Sequence, residues 1–104
     1  MLKNPVQMDL MRRGAEEATS VMRALANEDR LLLLCELSRG EASVGDLEAA
    51  LQIHQPTLSQ QLAALRARGL VQTRRDGKHI FYQVADRRVL ILLEQLYKLY
   101  CPKK

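Results

Sequence analysis

The sequence predicts a mainly α-helical fold with a small β-hairpin, and three observations support this prediction. Apolar residues recur every three or four positions along most of the chain, which is the period of amphipathic helices. Two runs of alternating polarity flank the dipeptide Asp76-Gly77, a strong short-range signal for a hairpin turn. A chain of 104 residues can also bury a core of its own, so residues 1–104 are predicted to form a single domain with about five helices and a two-stranded hairpin.

The composition is that of an ordinary globular protein, and it excludes several classes. Apolar residues make up 47% of the chain, but no apolar run approaches the roughly 20 residues that cross a bilayer. Asp9, Arg12 and Arg13 interrupt the stretch where a secretory signal would stand. We therefore expect a cytoplasmic protein with no membrane association. In that reducing compartment the two cysteines are more often reactive or metal-binding than a permanent disulfide.

Two helices are predicted in the N-terminal part of the chain. The first covers about residues 5–25 and has an apolar stripe in its second half. Asn27 is a suitable N-cap for the second, which runs from Glu28 to Leu37 and has acidic residues in its first turn, as the helix dipole favours. The residues of the second helix predicted to face the core are Leu31, Leu34, Cys35 and Leu37, with Leu32 and Leu33 widening the apolar band.

A helix-turn-helix is predicted at about residues 43–68. Ser43 and Asp46 have the spacing of a capping box, although aspartate reaches less far than the usual glutamate. They would open a short helix, and Gln52 and Ile53 would form the turn that follows it.

The second helix of this motif is predicted to present a short, polar face. His54 stands at the N-cap position, and Pro56 falls in the first turn, where a missing N–H costs little. The buried stripe consists of Leu58, Leu62 and Leu65. The residues left on the outer face are Pro56, Thr57, Gln60 and Ala64, with Ser59 and Gln61 on the flanks. Amides and hydroxyls on such a face can hydrogen-bond to base edges in a DNA groove.

A basic hairpin, or wing, is predicted at about residues 71–84, with Ile80, Tyr82 and Val84 on one strand face. Residues 66–79 include five basic side chains and one acidic one, so this segment carries a charge equal to the whole net charge of +4. The basic side chains at the predicted tip are Arg74, Arg75, Lys78 and His79. A basic ribbon next to a helix-turn-helix is typical of a winged helix that contacts DNA phosphates.

The last predicted helix, at about residues 87–100, has more apolar surface than one core needs. Helix-turn-helix proteins usually read two half-sites with two-fold symmetry. We therefore expect a homodimer in which residues 5–25 and 87–100 form the interface, bound to a pseudo-palindromic operator in double-stranded DNA.

Several motifs together resemble the ArsR/SmtB family of winged-helix repressors, from about Ala15 to Cys101. They are Leu25-Ala26-Asn27 with Arg30-Leu31, the run Gln55-Pro56-Thr57-Leu58-Ser59-Gln60-Gln61-Leu62, and Gly69-Leu70-Val71. The cysteines in Leu33-Leu34-Cys35 and Leu99-Tyr100-Cys101-Pro102 resemble those of the BigR, SqrR and HlyU subgroup, which responds to persulfides or oxidants. The resemblance places the second motif helix in the major groove. The predicted DNA-contacting residues are His54, Gln55, Pro56, Thr57, Ser59, Gln60 and Gln61 in the motif and Arg74, Arg75, Lys78 and His79 in the wing.

The sequence departs from the metal sensors of this family. Ser43-Val44-Gly45-Asp46 stands where the arsenic and cadmium sensors have a pair of cysteines, and the last helix offers Asp86 and Glu94 but no histidine. His54 and His79 are expected to cap a helix or to contact phosphate. We predict no bound metal and no cofactor, because zinc usually takes three or four ligands.

Cys35 and Cys101 are the candidate redox-sensing residues. Taken alone, a cysteine on an apolar helix such as Cys35 is usually a small buried hydrophobe. Cys101 follows the last helix at a place where packing hardly requires a cysteine. The neighbouring Lys98, Lys103 and Lys104 favour its thiolate, whereas a helix C-terminus disfavours negative charge, so the sequence leaves the acidity of this thiol open. The resemblance implies that reactive sulfur or an oxidant, as inducer, links the two thiols through a disulfide or polysulfide and releases the operator.

Three alternatives remain at this point. One is a metal-responsive repressor, and another is a constitutive DNA-binding protein with inert cysteines. The third, a thiol oxidoreductase, is disfavoured because the chain has no Cys-x-x-Cys pair and no base beside a thiol, so we predict that the protein is not an enzyme.

Overall fold

Helices dominate the structure, a computed structural model that describes residues 4–102. The described elements, in chain order, are α1 (Pro5–Leu25), α2 (Glu28–Leu37), β1 (Ala42–Ser43), α3 (Val44–Leu51), α4 (Thr57–Ala67), β2 (Val71–Asp76), β3 (His79–Val84) and α5 (Arg87–Tyr100). The prediction of five helices with a winged helix-turn-helix arrangement is confirmed.

Side-chain caps set the helix boundaries, as the sequence predicts. The Asn27 side chain accepts a hydrogen bond from the Arg30 N–H at 3.0 Å and starts α2. Ser43 and Asp46 form the complete capping box at the start of α3, with both hydrogen bonds at 3.1 Å. These bonds satisfy N–H groups that the first helical turn leaves without partners.

Leucine side chains from the helices meet in one core. Its fully buried members include Leu33, Leu34, Leu47, Leu58, Leu62 and Leu65, together with Val89 of α5. The predicted stripe of α4 is therefore confirmed. The secondary role predicted for Leu33 is wrong, because its side chain has no exposed surface, whereas Leu31 and Cys35 are only half-buried.

The wing differs from the prediction in two respects. The sheet has three strands in the order β1-β3-β2, because Ala42 and Ser43 pair with β3. The turn residues are Gly77 and Lys78 rather than Asp76 and Gly77, since Asp76 pairs with His79 across the hairpin. Gly77 has a φ of 61°, a value that glycine adopts at little cost at the first central position of a type II′ turn.

The first half of α1 is exposed in the subunit. Every residue from 4 to 18 is exposed, and the exposed side chains include Val6, Leu10 and Met11. Exposed apolar side chains along one helix are typical of a surface that packs against another molecule.

One arginine joins three helices. Arg30 belongs to α2, but its guanidinium donates to the carbonyl oxygens of Ala24 at 2.7 Å and Arg23 at 3.1 Å, in the last turn of α1. A third hydrogen bond, 3.1 Å long, reaches the side-chain oxygen of Gln61 in α4. The planar guanidinium suits this task, because its five N–H donors have fixed directions.

We expect Arg30→Met to lower the free energy of unfolding by about 1–3 kcal/mol, because the carbonyl of the buried Ala24 loses its side-chain donor. Urea unfolding followed by circular dichroism at fixed protein concentration measures this change. Arg23→Met is the matched control, since Arg23 is exposed, and it should shift stability by less than about 0.5 kcal/mol. Equal effects of the two substitutions would contradict the structural role of Arg30.

Candidate nucleic-acid interface and thiol pair

The outer face of α4 is polar and accessible. Ser59 and Gln60 are exposed, and Thr57 and Ala64 are half-buried beside the leucine stripe. Together with Gln55 and Pro56, which are exposed just before the helix, they form a surface of small and amide-bearing side chains. A helix with such a face can approach the floor of a DNA major groove closely enough to bond base edges.

The start of α4 differs in detail from the prediction. His54 does not cap the helix; its Nδ1 atom lies 3.6 Å from a carboxylate oxygen of Glu48 in α3. Pro56 immediately precedes the helix instead of lying in its first turn. The side-chain oxygen of Gln55 accepts from the Ser59 N–H at 3.1 Å and so takes the capping role.

Gln61 lies on the flank of α4, as predicted, and is half-buried. Its amide oxygen is the acceptor for Arg30, so this side chain anchors the helix from behind. Nothing local in the sequence marks that contact, because the two residues are 31 positions apart.

The wing contains two kinds of cation. Arg75 and Lys78 are exposed and make no hydrogen bond or ion pair within residues 4–102. Arg74 instead forms a two-point ion pair with Glu41, in which its Nε donates to Oε2 at 2.7 Å and its Nη2 donates to Oε1. These bonds lower the pKa of Glu41 and keep both groups charged. Sequence reasoning missed Glu41, because it is 33 positions away and no motif includes it.

The predicted basic segment is therefore only partly free. Arg68 donates to the Ser20 carbonyl oxygen at 3.0 Å and ties the end of α4 to α1, in addition to the pairing of Arg74. His79 lies in the wing with its ring centroid 6.2 Å from that of Phe81. The cations that remain without a described partner are Arg66, Arg75 and Lys78. Arg66 lies in the last turn of α4, and Arg75 and Lys78 lie at the tip of the wing.

The two cysteines line one groove between α2 and α5. The groove has a volume of about 770 Å³ and is mostly apolar, with Leu32, Leu90, Leu93 and Tyr97 in its wall. Cys35 is half-buried, Cys101 is exposed, and both thiols are free. The sequence predicted both residues as reactive candidates, and their proximity across 66 positions is what the structure adds.

The end of α5 fixes the position of Cys101. Its N–H donates to the Tyr97 carbonyl oxygen at 3.0 Å, and its backbone is extended, with φ −74° and ψ 125°. Pro102 accounts for this conformation, since a residue before proline is pushed out of the helical region. Lys103 and Lys104, which were predicted to influence the thiol, lie outside the described residues.

Burial raises the pKa of the Cys35 thiol, and the nearby Cys101 raises it further. The neutral thiol is the less reactive form, so Cys35 is a weak nucleophile near neutral pH. Cys101 is the more accessible of the two sulfur atoms.

The described residues meet neither the requirements of a metal site nor those of a membrane-spanning helix. Within residues 4–102, no three histidine, cysteine or acidic side chains gather into a group that could hold a metal ion. No helix in this part of the chain is long and apolar enough to cross a membrane.

A second apolar surface covers α1 and α5. Its exposed members in α5 include Ile91, Tyr97, Leu99 and Tyr100, which are between 55% and 77% exposed. A cleft between the two helices is lined by Gly14, Ala18 and Val89, and the Arg88–Glu17 ion pair, 2.8 Å long, bridges them. Apolar area of this extent is unusual on a protein that stays monomeric.

Comparison with known sequences identifies the family. Residues 27–73 match the profile of bacterial regulatory proteins of the arsR family. The chain is 47% identical to the biofilm growth-associated repressor of Agrobacterium fabrum, over 92% of this chain and 82% of that protein. It is 40% identical to the transcriptional activator HlyU of Vibrio cholerae, over 93% of this chain and 90% of that protein.

Solved structures agree with the sequence comparison. The transcriptional repressor BigR from Xylella fastidiosa superposes with a TM-score of 0.86 at 42% identity, covering 92% of this chain and 98% of that one. A homodimeric winged helix-turn-helix DNA-binding domain from Mycobacterium bovis gives a TM-score of 0.73 at 30% identity, with 93% and 86% coverage. The predicted resemblance to the BigR and HlyU group is confirmed.

At pH 7 we expect iodoacetamide to alkylate Cys35 more slowly than Cys101, because burial and the raised pKa both disfavour the Cys35 thiolate. The Cys35 rate should keep rising at pH values where an ordinary thiol, with a pKa of about 8.5, is already mostly ionised. Time-resolved mass spectrometry of the labelled peptides measures both rates. In urea, where burial is lost, the difference should disappear; a faster Cys35 in the folded protein would contradict the assignment.

Proposed function

Because this chain belongs to the arsR family of bacterial regulatory proteins, we propose that it is a homodimeric repressor that releases its operator when Cys35 and Cys101 become linked. The family and its relatives make it a DNA-binding transcriptional regulator, not an enzyme. The observation that carries the proposed switch is the presence of both thiols in one groove between α2 and α5.

An organic persulfide supplies the oxidising equivalents. The Cys101 thiolate attacks the terminal sulfur of the persulfide, forms a protein persulfide and releases the organic thiol. The Cys35 thiolate then attacks the Cys101 sulfur, closes a disulfide and expels hydrosulfide. In total, two protein thiols and one persulfide give one disulfide, one organic thiol and hydrogen sulfide.

A second persulfide equivalent can extend the bridge by one sulfur atom. The overall reaction then gives a trisulfide, two organic thiols and hydrogen sulfide. Inserted sulfur relaxes the requirement of a plain disulfide that the two Cα atoms lie within about 7 Å. The groove of about 770 Å³ offers room for such a bridge.

Exposed apolar surface supports the proposed dimer. Residues 4–18 are exposed in the subunit, and α5 also exposes large apolar side chains. The related domain from Mycobacterium bovis is homodimeric. A two-fold dimer through α1 and α5 would set the distance between two copies of α4, which is the quantity that a palindromic operator measures.

The proposed link would act on this spacing through the elements it joins. α5 belongs to the proposed dimer face, while α2 contacts α4 through Arg30 and Gln61. A covalent bond between α2 and α5 would therefore change the position of α4 relative to the partner subunit. Converting a mostly bound operator to a mostly free one needs a difference of about 5.5 kcal/mol between the states, or about 10⁴-fold in affinity.

We expect an organic persulfide to lower the operator affinity of the wild-type protein by at least about tenfold, and reductant to restore it. Cys35→Ser and Cys101→Ser should bind the operator as reduced wild type does and should not respond. Fluorescence anisotropy with labelled operator gives the affinity, and intact-protein mass spectrometry of the same samples identifies the bridge.

Other outcomes of this experiment would point elsewhere. Release of the operator by both serine variants would locate the switch outside these cysteines. An affinity that ignores persulfide, peroxide and reductant alike would indicate a constitutive DNA-binding protein, and a response to zinc alone would indicate a metal sensor.

We also expect the two proposed DNA-contact classes to separate by salt dependence. Gln60→Ala should weaken operator binding by about 1–3 kcal/mol and leave non-specific binding unchanged, because it removes a base contact. Lys78→Gln should weaken both and reduce the slope of log K against log salt by about 0.9, because it removes a phosphate contact. Titrations at four salt concentrations distinguish them; equal losses on operator and random DNA for Gln60→Ala would contradict base reading.

A further inference from the structure

Each nitrogen of the Arg74 guanidinium has an acidic neighbour. Glu41 takes two of its nitrogens, Asp76 lies 3.9 Å from the third, and the ring of Phe81 lies under it, with 4.6 Å from Cζ to the ring centroid. Two carboxylates therefore surround one cation, and the local charge on this face of the wing is not positive. A phosphate group approaching here would be repelled by the carboxylates of Glu41 and Asp76.

The same contacts cross the whole sheet. Arg74 in β2 is directly opposite Phe81 in β3, and Phe81 is opposite Ser43 in β1. Because β3 lies between β1 and β2, the side chain of Arg74 passes over the middle strand to reach Glu41, next to β1. The ion pair and the cation–π contact thus fasten the outer strand of the wing to the segment that leads into the helix-turn-helix.

The neighbouring cations are placed differently. Arg75 is opposite Ile80, so it projects from the other face of the sheet, and Lys78 stands in the turn. Neither has an acidic partner among the described residues. They can neutralise phosphates without first breaking an existing ion pair.

We propose that Arg74 is a positioning residue whose ion pair with Glu41, called the staple below, holds the wing in place. The phosphate contacts of the wing then belong to Arg75 and Lys78. This inference rests on the proposed contact of the wing with DNA. It revises the prediction from sequence, which treats all the basic residues of the tip alike.

A charge swap tests the staple. Arg74→Glu alone should weaken operator binding by about tenfold or more, because Glu41 then faces a like charge and the wing loses its fixed position. Combining it with Glu41→Arg restores the ion pair at an unchanged net charge. Because the carboxylate at position 74 then lies near Asp76 and the cation–π contact is lost, the double variant should recover only part of the lost affinity, but it should keep the wild-type salt slope.

Lys78→Gln serves as the matched control and should reduce the salt slope by about 0.9. If the swapped protein instead shows a slope reduced by about 0.9 and no recovery of affinity, Arg74 is itself a phosphate contact and the staple is refuted. If Lys78→Gln and Arg75→Gln each keep the wild-type slope, the contact between wing and DNA fails, which is a failure of the proposed function and not of the ion pair. Thermal unfolding then measures the ion pair directly, since the double variant should have a higher unfolding midpoint than Arg74→Glu alone.

A swapped protein that does not fold leaves a second route. Glu41→Gln combined with Arg74→Gln also preserves net charge, and it removes the ion pair without bringing two like charges together. The staple predicts a wild-type salt slope for this pair, with a loss of operator affinity from a looser wing. A slope lower by about 0.9 would overturn it.

Discussion

The orientation of α4, the proposed recognition helix, depends on hydrogen bonds more than on its buried leucines. Apolar burial is non-directional, so the leucine stripe of α4 fixes which side faces the core but tolerates small rotations. The guanidinium of Arg30, bonded to two carbonyl oxygens of α1 and to Gln61, does not tolerate them, because its donors have fixed directions. Arg68, bonded to the carbonyl of Ser20, supplies a second fixed point at the other end of the helix. The surface of α4 that we propose contacts DNA is therefore oriented by two arginines that need not touch DNA.

Local signals predicted the helices well, because caps act within three residues of each other. Asn27 and Ser43 each close a hydrogen bond to the N–H three positions on, and those helices start where expected. Two features that sequence reasoning missed depend on pairing between distant positions. Strand β1 is two residues long and exists only because β3 lies beside it, and the Glu41–Arg74 pair joins positions 33 apart. Neither leaves a pattern in the sequence around it.

Helix α2 connects the two halves of the proposed mechanism. It carries Arg30 in its first turn, where the recognition helix is held, and Cys35 farther along, where the groove begins. The helix has only ten residues and is packed through Leu33, Leu34 and Leu37. A segment this short and this well buried moves as a unit, since a close-packed interior transmits displacement. A displacement of α2 at Cys35 is therefore transmitted to Arg30.

The proline after Cys101 has a kinetic consequence for sulfur chemistry. A thiol on a loose tail would spend most of its time far from α2, and small thiols in the surroundings would compete well for any sulfur it acquired. Here the backbone of Cys101 is bonded to Tyr97 and held extended by Pro102, so its sulfur remains beside the groove that contains Cys35. Its effective concentration toward Cys35 is correspondingly high. In the proposed switch, this placement favours ring closure within the subunit over capture by free thiols.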